Sequence, residues 1–374
     1  MTESTTQFRG AIIGHTGGGD YGHGLDIAFE GIPNIETIAV ADVDDTGRAR
    51  AQKRSGAPKA YADYKEMLQA ERPNLVTIAP RFLEERVEMV QAVAAVGAHI
   101  FIEKPLAATL AEADAMLSAC EAAGVKMAVA HQGRLHPATL HTLALIQQGE
   151  IGKLRLMRGY GKLDHRGGGQ DLMVLGTHIL DMMRLFGGDA QWVSAELLAG
   201  SRLADENDVR QGNEGIGPIA GNGVRATIGF ENDVIGLFES FADLATGEDL
   251  FGVDFVGETG QLSLRAGFTK RLYKYPHAYV IPGASYDQWE AVPVPTAGPG
   301  ELPDNSDISS QRLIQIANQR LILDLMAAVE EDREPLGSGE RARASLELIQ
   351  AMAAAHAAGG RISLPLKERM HPYQ

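Results

Sequence analysis

Hydrophobic and polar positions follow two different patterns along this chain, and the change comes near residue 132. Up to that point, short apolar runs at Ala11–Gly14, Thr37–Ala41, Leu75–Ala79, His99–Ile102 and Lys126–Ala130 alternate with helix-like segments. Within Glu85–Val96, the residues Val87, Val90 and Val93 recur at helical spacing, and the alanine-rich segment Ala111–Ala123 stops at Gly124. Strands that are apolar throughout are buried on both faces. Their alternation with helices predicts a parallel sheet with right-handed crossovers.

Beyond residue 132 one helix (Leu140–Gln148) leads into a strand at Lys153–Gly161, and a second helix, Leu172–Phe186, follows a glycine triplet. Strand patterns then dominate, at Trp192–Leu198, Arg225–Phe230, Val234–Phe241, Phe251–Val256 and Gln261–Arg265, with a hairpin turn expected at Gly257–Gly260. The stretch Pro293–Asp307, rich in Pro, Gly and Asp, reads as a loop, and Ser309–Glu331 and Glu340–Ala358 read as closing helices. The expected fold class is α/β. A parallel-sheet domain spans 1–131, and an α+β domain with a large open, mostly antiparallel sheet spans 132–374.

Length and charge narrow the function. The 374 residues exceed one ordinary domain and suffice for a sizeable core. With 49 acidic against 34 basic residues the net charge is -15, which disfavours nucleic acid and anionic membranes as partners. The single cysteine, Cys120, lies in an apolar stretch and reads as a small buried hydrophobe. The N-terminal residues carry no basic patch followed by an apolar run, and no run approaches a membrane span. A cytoplasmic enzyme without a metal site fits these observations.

The first candidate chemistry is the turn after the first strand, GHTGGGDYGHG. Here Gly17, Gly19 and Gly22 fit G-x-G-x-x-G, and Gly14 ends the strand. Such a turn needs positive φ and close backbone approach to a pyrophosphate, with a following helix N-terminus offering free N–H groups. Asp42 ends the next strand, 20 residues after Gly22. A carboxylate at that offset accepts from the ribose 2′-hydroxyl of NAD and, with Asp44 and Asp45, repels a 2′-phosphate, so NAD is expected rather than NADP.

The fourth run ends in Glu103, Lys104 and Pro105. Ligands of open α/β sheets lie beyond the carboxyl ends of the strands. A lysine there loses hydration, its pKa falls, and it becomes useful in proton transfer. Downstream, Gly167–Gly169 precede a helix carrying His178 and Asp181, whose spacing of three puts both on one face, where Asp181 can orient the imidazole.

Together these pieces resemble the Gfo/Idh/MocA family of sugar and cyclitol oxidoreductases. The resemblance rests on the glycine turn, Asp42 in AVADVDD, the Glu103–Pro105 step, AHQGRLHP at Ala130–Pro137, and G-x-H-x-x-D ending at Asp181. It implies a Rossmann dinucleotide-binding domain followed by a domain whose open sheet mediates homodimers or homotetramers. It also implies that Lys104 and His178 face nicotinamide and substrate, with Gly14, Gly17, Gly19, Gly22, Asp42, Glu103 and Lys104 holding the cofactor. The family's second motif reads D-x-G-x-H, and its aspartate position here holds Val174; Asp171, one turn earlier, is the candidate replacement. Where many members carry a histidine after the third strand, this chain has Arg86; Arg81 and Arg86 read either as ligand contacts or as surface charges.

The expected reaction is hydride transfer between a secondary ring alcohol and NAD. His178 acts as general base and Lys104 hydrogen-bonds the reacting oxygen, or the reverse, with Asp171 as the third catalytic group. A polyhydroxylated substrate is expected to meet Lys104, Arg134, Lys162, Asp164, His165, His178 and Asp181; Arg166, His131 and His136 are further candidates. Glu214 and Asp208 either line a pocket or are solvated. Two alternatives stay open: an enzyme with tightly held NAD used in an internal redox cycle, and a non-catalytic dinucleotide-binding regulator.

Overall fold

The computed structural model describes residues 7–244, 250–267, 270–284, 288–294 and 309–374. Most of the expected loop at Pro293–Asp307 lies outside these residues. The chain forms two compact units that are interleaved in sequence. The first takes the described residues of Met1–Gln132, Glu214–Ile216 and Gly298–Arg343, and the second takes those of Gly133–Asn213, Gly217–Ala297 and Ala344–Gln374. The expected boundary near residue 131 falls beside the end of the first of these segments, Met1–Gln132.

The first unit holds six parallel strands, β1 (Phe8–Ile13), β2 (Ile35–Ala41), β3 (Lys59–Tyr61), β4 (Leu75–Ile78), β5 (His99–Ile102) and β6 (Met127–Val129), in the order β3-β2-β1-β4-β5-β6. Helices α1 (Asp45–Ser55), α2 (Tyr64–Glu71), α3 (Arg86–Ala95) and α4 (Leu110–Ala123) connect them. Ile12, Val76, Ile78, Ile100, Phe101 and Ile102 are fully buried. Each contributes roughly 1.5–3 kcal/mol of transfer free energy. Thr109 and Glu112 close a capping box on α4, and Gly124 ends that helix in the left-handed region. The strand order reverses between β1 and β4, which makes the carboxyl ends of those strands the ligand crevice of such sheets.

The second unit begins with α5 (Pro137–Gln147) and β7 (Leu154–Tyr160), followed by a short turn α6 (Gly169–Asp171), a π-helical stretch Leu172–Gly176 and α7 (Thr177–Gly187). The strands β8 (Ala190–Ala199), β9 (Arg202–Leu203), β10 (Val209–Gln211), β11 (Pro218–Ala220), β12 (Gly223–Phe230), β13 (Ile235–Phe241), β14 (Gly252–Gly257), β15 (Gln261–Arg265), β16 (Arg271–Tyr275) and β17 (Glu290–Val292) come next. The chain closes with α8 (Ser310–Glu330), α9 (Gly339–Ala358) and β18 (Ile362–Ser363). The main sheet runs β17-β16-β15-β14-β7-β13-β12-β8-β18, with β9 on β8. Every pairing in it is antiparallel except β7 with β13. Helix α7 packs on β7 and β14. It buries Ile179, Leu180, Met182 and Met183. Among the described residues no helix is long and apolar enough to cross a membrane.

One expected element does not form. The glycine turn was to open a helix, yet Tyr21–Gly31 is a series of turns around a three-residue 3-10 segment, Leu25–Ile27. Asp20, Gly22, Gly24 and Gly31 all have positive φ, so right-handed helix cannot propagate through this stretch. Its backbone carbonyls still need donors. Some come from amides within the turns, and three come from α8: Asn318 donates to the His23 carbonyl (3.0 Å), Gln315 to that of Ile27 (2.9 Å) and Gln319 to that of Glu30 (2.6 Å). These three amides are buried. This accounting explains why α8, far along the chain, belongs to the first unit.

Candidate active site

The Glu103–Pro105 step lies at the carboxyl end of β5, where the sheet delivers it to the crevice side. Glu103 is fully buried; Lys104 is 3% exposed. The Glu103 carboxylate accepts from the His23 amide (2.9 Å), the Lys104 amide (3.1 Å) and the His23 ring at Nδ1 (3.0 Å). Burial pushes its pKa up, but the His23 and Lys104 charges and the His23 hydrogen bonds outweigh that and hold it at about 2. Glu103 was expected to hold the cofactor; its carboxylate is engaged by His23 and the Lys104 main chain.

Arg86, expected either as a ligand contact or as a surface charge, is not at the surface. It is 2% exposed. Its guanidinium donates to the carbonyls of Glu103 (2.6 Å), Pro105 and Pro80, and at longer range to that of Arg81 (3.4 Å). A planar group with five donors suits several carbonyls converging from two strand ends. Burial lowers its pKa to about 10, so it stays cationic at neutral pH. Burial also takes Lys104 below the ordinary lysine range; Glu103 and Glu214 oppose this, and Arg81 and Arg86 add to it. Glu214 thus acts on Lys104 from the short segment that joins the first unit, with its carbonyl accepting from the Leu83 amide at 3.3 Å. The Lys104–Pro105 peptide is cis.

In the glycine turn, Gly17, Gly19 and Gly22 all have positive φ. Only at Gly17 would a Cβ meet open space. At Gly22 it would lie 2.4 Å from Glu103 Oε2, and at Gly19 it would lie 2.4 Å from the Arg81 amide nitrogen. Those two glycines therefore serve the packing of the turn on the strand ends, and Gly17 is the one presented outward. Gly14 is overlaid by the Tyr21 ring. Asp42 directly follows β2 but is 1% exposed, and its carboxylate accepts from Thr16, Tyr21 and the Asp44 amide. The expected ribose acceptor is thus engaged by protein donors.

These features test the fit of a dinucleotide. The strand order, the glycine turn at its reversal and the outward Gly17 suit one. The helix N-terminus expected for the pyrophosphate is replaced by turns, and the ribose carboxylate carries its own partners.

In the second unit His178 is half-buried at the start of α7, directly after the π-helical stretch, a distortion often found at functional sites. Val174 is buried inside that stretch, so the position expected to hold a carboxylate is apolar. The substitute expected to act in catalysis, Asp171, is fully buried. Its Oδ2 accepts from Ser240 Oγ (2.5 Å) and the Lys162 amide (2.9 Å), and its Oδ1 has no hydrogen-bond partner. Burial raises its pKa despite those donors.

Asp181, expected to orient His178 and meet substrate, gives both oxygens to Arg134. Arg134 Nε lies 3.0 Å from Oδ2 and Nη2 lies 2.8 Å from Oδ1, with both residues buried. Arg134, expected at the substrate, is the other half of this bidentate pair. Asp164 is likewise held by Arg166, chiefly through hydrogen bonds that overcome its partial burial and keep its pKa at about 2. Lys162 is half-buried and His165 exposed. His131 and His136 are buried; the His136 ring caps α5 by accepting from the Ala138 amide at 3.1 Å. Asp208 pairs with Arg202. His23, Thr16, Tyr21 and Ser240 went unread in the sequence. Thr16, Tyr21 and His23 carried a positional signal, each lying beside a glycine of the turn.

A parallel sheet in this order, a glycine turn at its reversal, a buried lysine at the next strand end and a second unit on a large mixed sheet define a Rossmann-type oxidoreductase. The chain belongs to the Gfo/Idh/MocA oxidoreductase family: the sequence model of its NAD-binding Rossmann fold matches residues 8–131, and that of its C-terminal alpha/beta domain matches residues 144–364. Among its relatives, D-apiose dehydrogenase of Paraburkholderia graminis is 31% identical over 221 residues, covering 55% of this chain and 57% of that one. Levoglucosan dehydrogenase of Pseudarthrobacter phenanthrenivorans is 26% identical over 63% of this chain and 65% of that one. The chain thus matches between half and two thirds of those relatives' lengths. A solved levoglucosan dehydrogenase, in complex with NADH and levoglucosan, superposes with a TM-score of 0.73 at 20% identity, covering 96% of this chain and 100% of that one.

Proposed function

We propose that this protein interconverts a secondary ring hydroxyl and a ketone on a sugar, glycoside or cyclitol, with NAD as hydride carrier. The observation that carries the reading is Lys104, a lysine stripped of water at the carboxyl end of β5, with its amide bound to the Glu103 carboxylate and the flanking Glu103 and Pro105 carbonyls held by Arg86. The dehydrogenase relatives named above support the substrate class. Gly17 and its neighbours in the turn would hold the dinucleotide, which supplies hydride transfer at its nicotinamide ring.

The chain's own groups manage the proton. His178 is assigned to taking the hydroxyl proton, and Lys104, held below the ordinary lysine pKa, to donating a hydrogen bond during the reaction. Asp171 is assigned to holding the β7–α6 connection through Ser240, and the Arg134–Asp181 pair to fixing α7. Lys162 and His165 bind ring hydroxyls. The outward face of the large sheet, with Arg158, Tyr160, Glu196, Leu237 and Glu239, meets a second copy in a homo-oligomer, which light scattering checks.

An absorbance screen at the NADH band, over inositols, pyranoses and glycosides with NAD and NADP in parallel, tests the reading. Turnover is expected with NAD, and Lys104→Ala is expected to lower kcat roughly 10²–10⁴-fold with dinucleotide binding retained. Bound dinucleotide with no turnover on any polyol would refute the enzyme reading and leave a regulator.

A further inference from the structure

The Asp42 carboxylate is saturated. Its Oδ1 takes the Asp44 amide at 3.0 Å, and its Oδ2 takes Thr16 Oγ1 at 2.7 Å and the Tyr21 hydroxyl at 2.7 Å. The Thr16 amide lies 3.1 Å from both oxygens. An ionised carboxylate offers about four lone-pair sites, and all are engaged. Burial pushes the Asp42 pKa up, but the Thr16, Asp44 and Tyr21 hydrogen bonds outweigh that and hold it low, so it is a charged acceptor at neutral pH. Burial and Asp42 together raise Tyr21 well above its ordinary value, so the phenol keeps its proton and stays a donor.

The Tyr21 ring is fixed as well. It is 6% exposed, covers Gly14 and has the Arg54 guanidinium 5.7 Å from its centroid, and Arg54 is itself paired with Asp26. Of the donors on Asp42, two are main-chain amides that hold the β2 end and the turn in place, and the Thr16 hydroxyl sits on the residue whose amide is already bound. Removing the Tyr21 hydroxyl leaves that backbone scaffold intact.

Resting on the proposal that this unit binds NAD, we propose that Tyr21 sets the affinity and selectivity for the dinucleotide, its hydroxyl competing with the adenosine ribose 2′-hydroxyl for Asp42 Oδ2. In the wild-type protein the ribose displaces one hydrogen bond to a charged group for each one it forms, so Asp42 adds little net affinity for NAD. Selection against the 2′-phosphate of NADP then rests on the negative charge of Asp42, Asp44 and Asp45. A phenylalanine at 21 keeps the ring over Gly14 and beneath Arg54 and frees one lone pair.

The test is calorimetric titration of wild type, Tyr21→Phe and the Tyr21→Phe/Asp42→Asn double variant with NAD, with NADP and with NAD lacking the adenosine 2′-hydroxyl. Thermal melting serves as the check on folding. Tyr21→Phe is expected to tighten NAD about 10-fold, the scale of one hydrogen bond to a charged group. NADP and the deoxy analogue should be unmoved, and Asp42→Asn should abolish the gain. Unchanged or weaker NAD binding by a folded Tyr21→Phe would overturn the competition, as would an equal gain for the deoxy analogue. Failure of wild type and variant alike to bind any of the three would instead remove the dinucleotide reading on which the proposal stands.

Discussion

Arg86 in the first unit and Arg134 in the second are both buried cations, and they satisfy that burial in opposite ways. Arg86 donates to main-chain carbonyls alone, from Pro80 to Pro105, and so ties the ends of β4 and β5 together around Lys104. Arg134 meets a carboxylate, Asp181, and so neutralises a charge within α7. The first arrangement fixes backbone, and no second substitution can replace it. The second is a pair of side chains, and a pair can be exchanged as a unit. Breaking one member of a buried ion pair is costly, whereas replacing both by apolar groups of similar size is often neutral.

The largest effect is therefore expected at Arg86. Arg86→Ala strands three buried carbonyls at roughly 1–3 kcal/mol each, an expected loss on the order of 5 kcal/mol in denaturant unfolding. No apolar residue at 86 recovers it. Arg134→Ala is expected to cost about 4 kcal/mol, and the double variant Arg134→Met/Asp181→Leu to regain most of that. Equal recovery by an apolar residue at 86, or none by the double variant at 134 and 181, would erase the distinction.

The same contrast shows what the sequence made legible. The parallel frame, the mostly antiparallel second sheet and the strand-end position of Lys104 follow from periodicity and local glycine chemistry, and all are found. Side-chain partners across long separations were not legible. Asp181 was read only against its neighbour His178, three residues away, while Arg134 reaches its carboxylate from 47 residues away. Asp42 sits at the offset of a ribose acceptor, while its engagement by Tyr21 depends on how the turn folds back over Gly14. The missing helix after the turn had a local warning in its two glycines Gly22 and Gly24. Its replacement by amides from α8 had none, because nothing local links residue 23 to residue 318.

Glu103 sharpens the first half of the comparison through pH. Its folded pKa, about 2, lies below the ordinary 4.5, so its stabilisation is fully present above pH 4.5 and is lost as the pH falls through 2. Glu103→Gln should lower stability by on the order of 3 kcal/mol at neutral pH. The gap to wild type should close between pH 4.5 and 2 in acid-unfolding curves. A gap that persists undiminished at pH 2 would mean that shape, not charge, fixes this residue.

Asp171 is the inverse case in the second unit, and the effect there is smallest. Burial raises its pKa, so ionising it weakens the fold, and stability falls as pH climbs from the ordinary carboxylate range through the raised value. Ser240 opposes that by donating to Oδ2. Ser240→Ala removes the donor and should cost about 1–2 kcal/mol once Asp171 is ionised. At acid pH the carboxyl is neutral in both proteins, so the cost should shrink as pH falls, the same direction as for Glu103→Gln but shifted to higher pH. The order of the two transitions along the pH axis separates a carboxylate held charged by its partners from one pressed toward neutrality by its surroundings. Coincident transitions would overturn that separation.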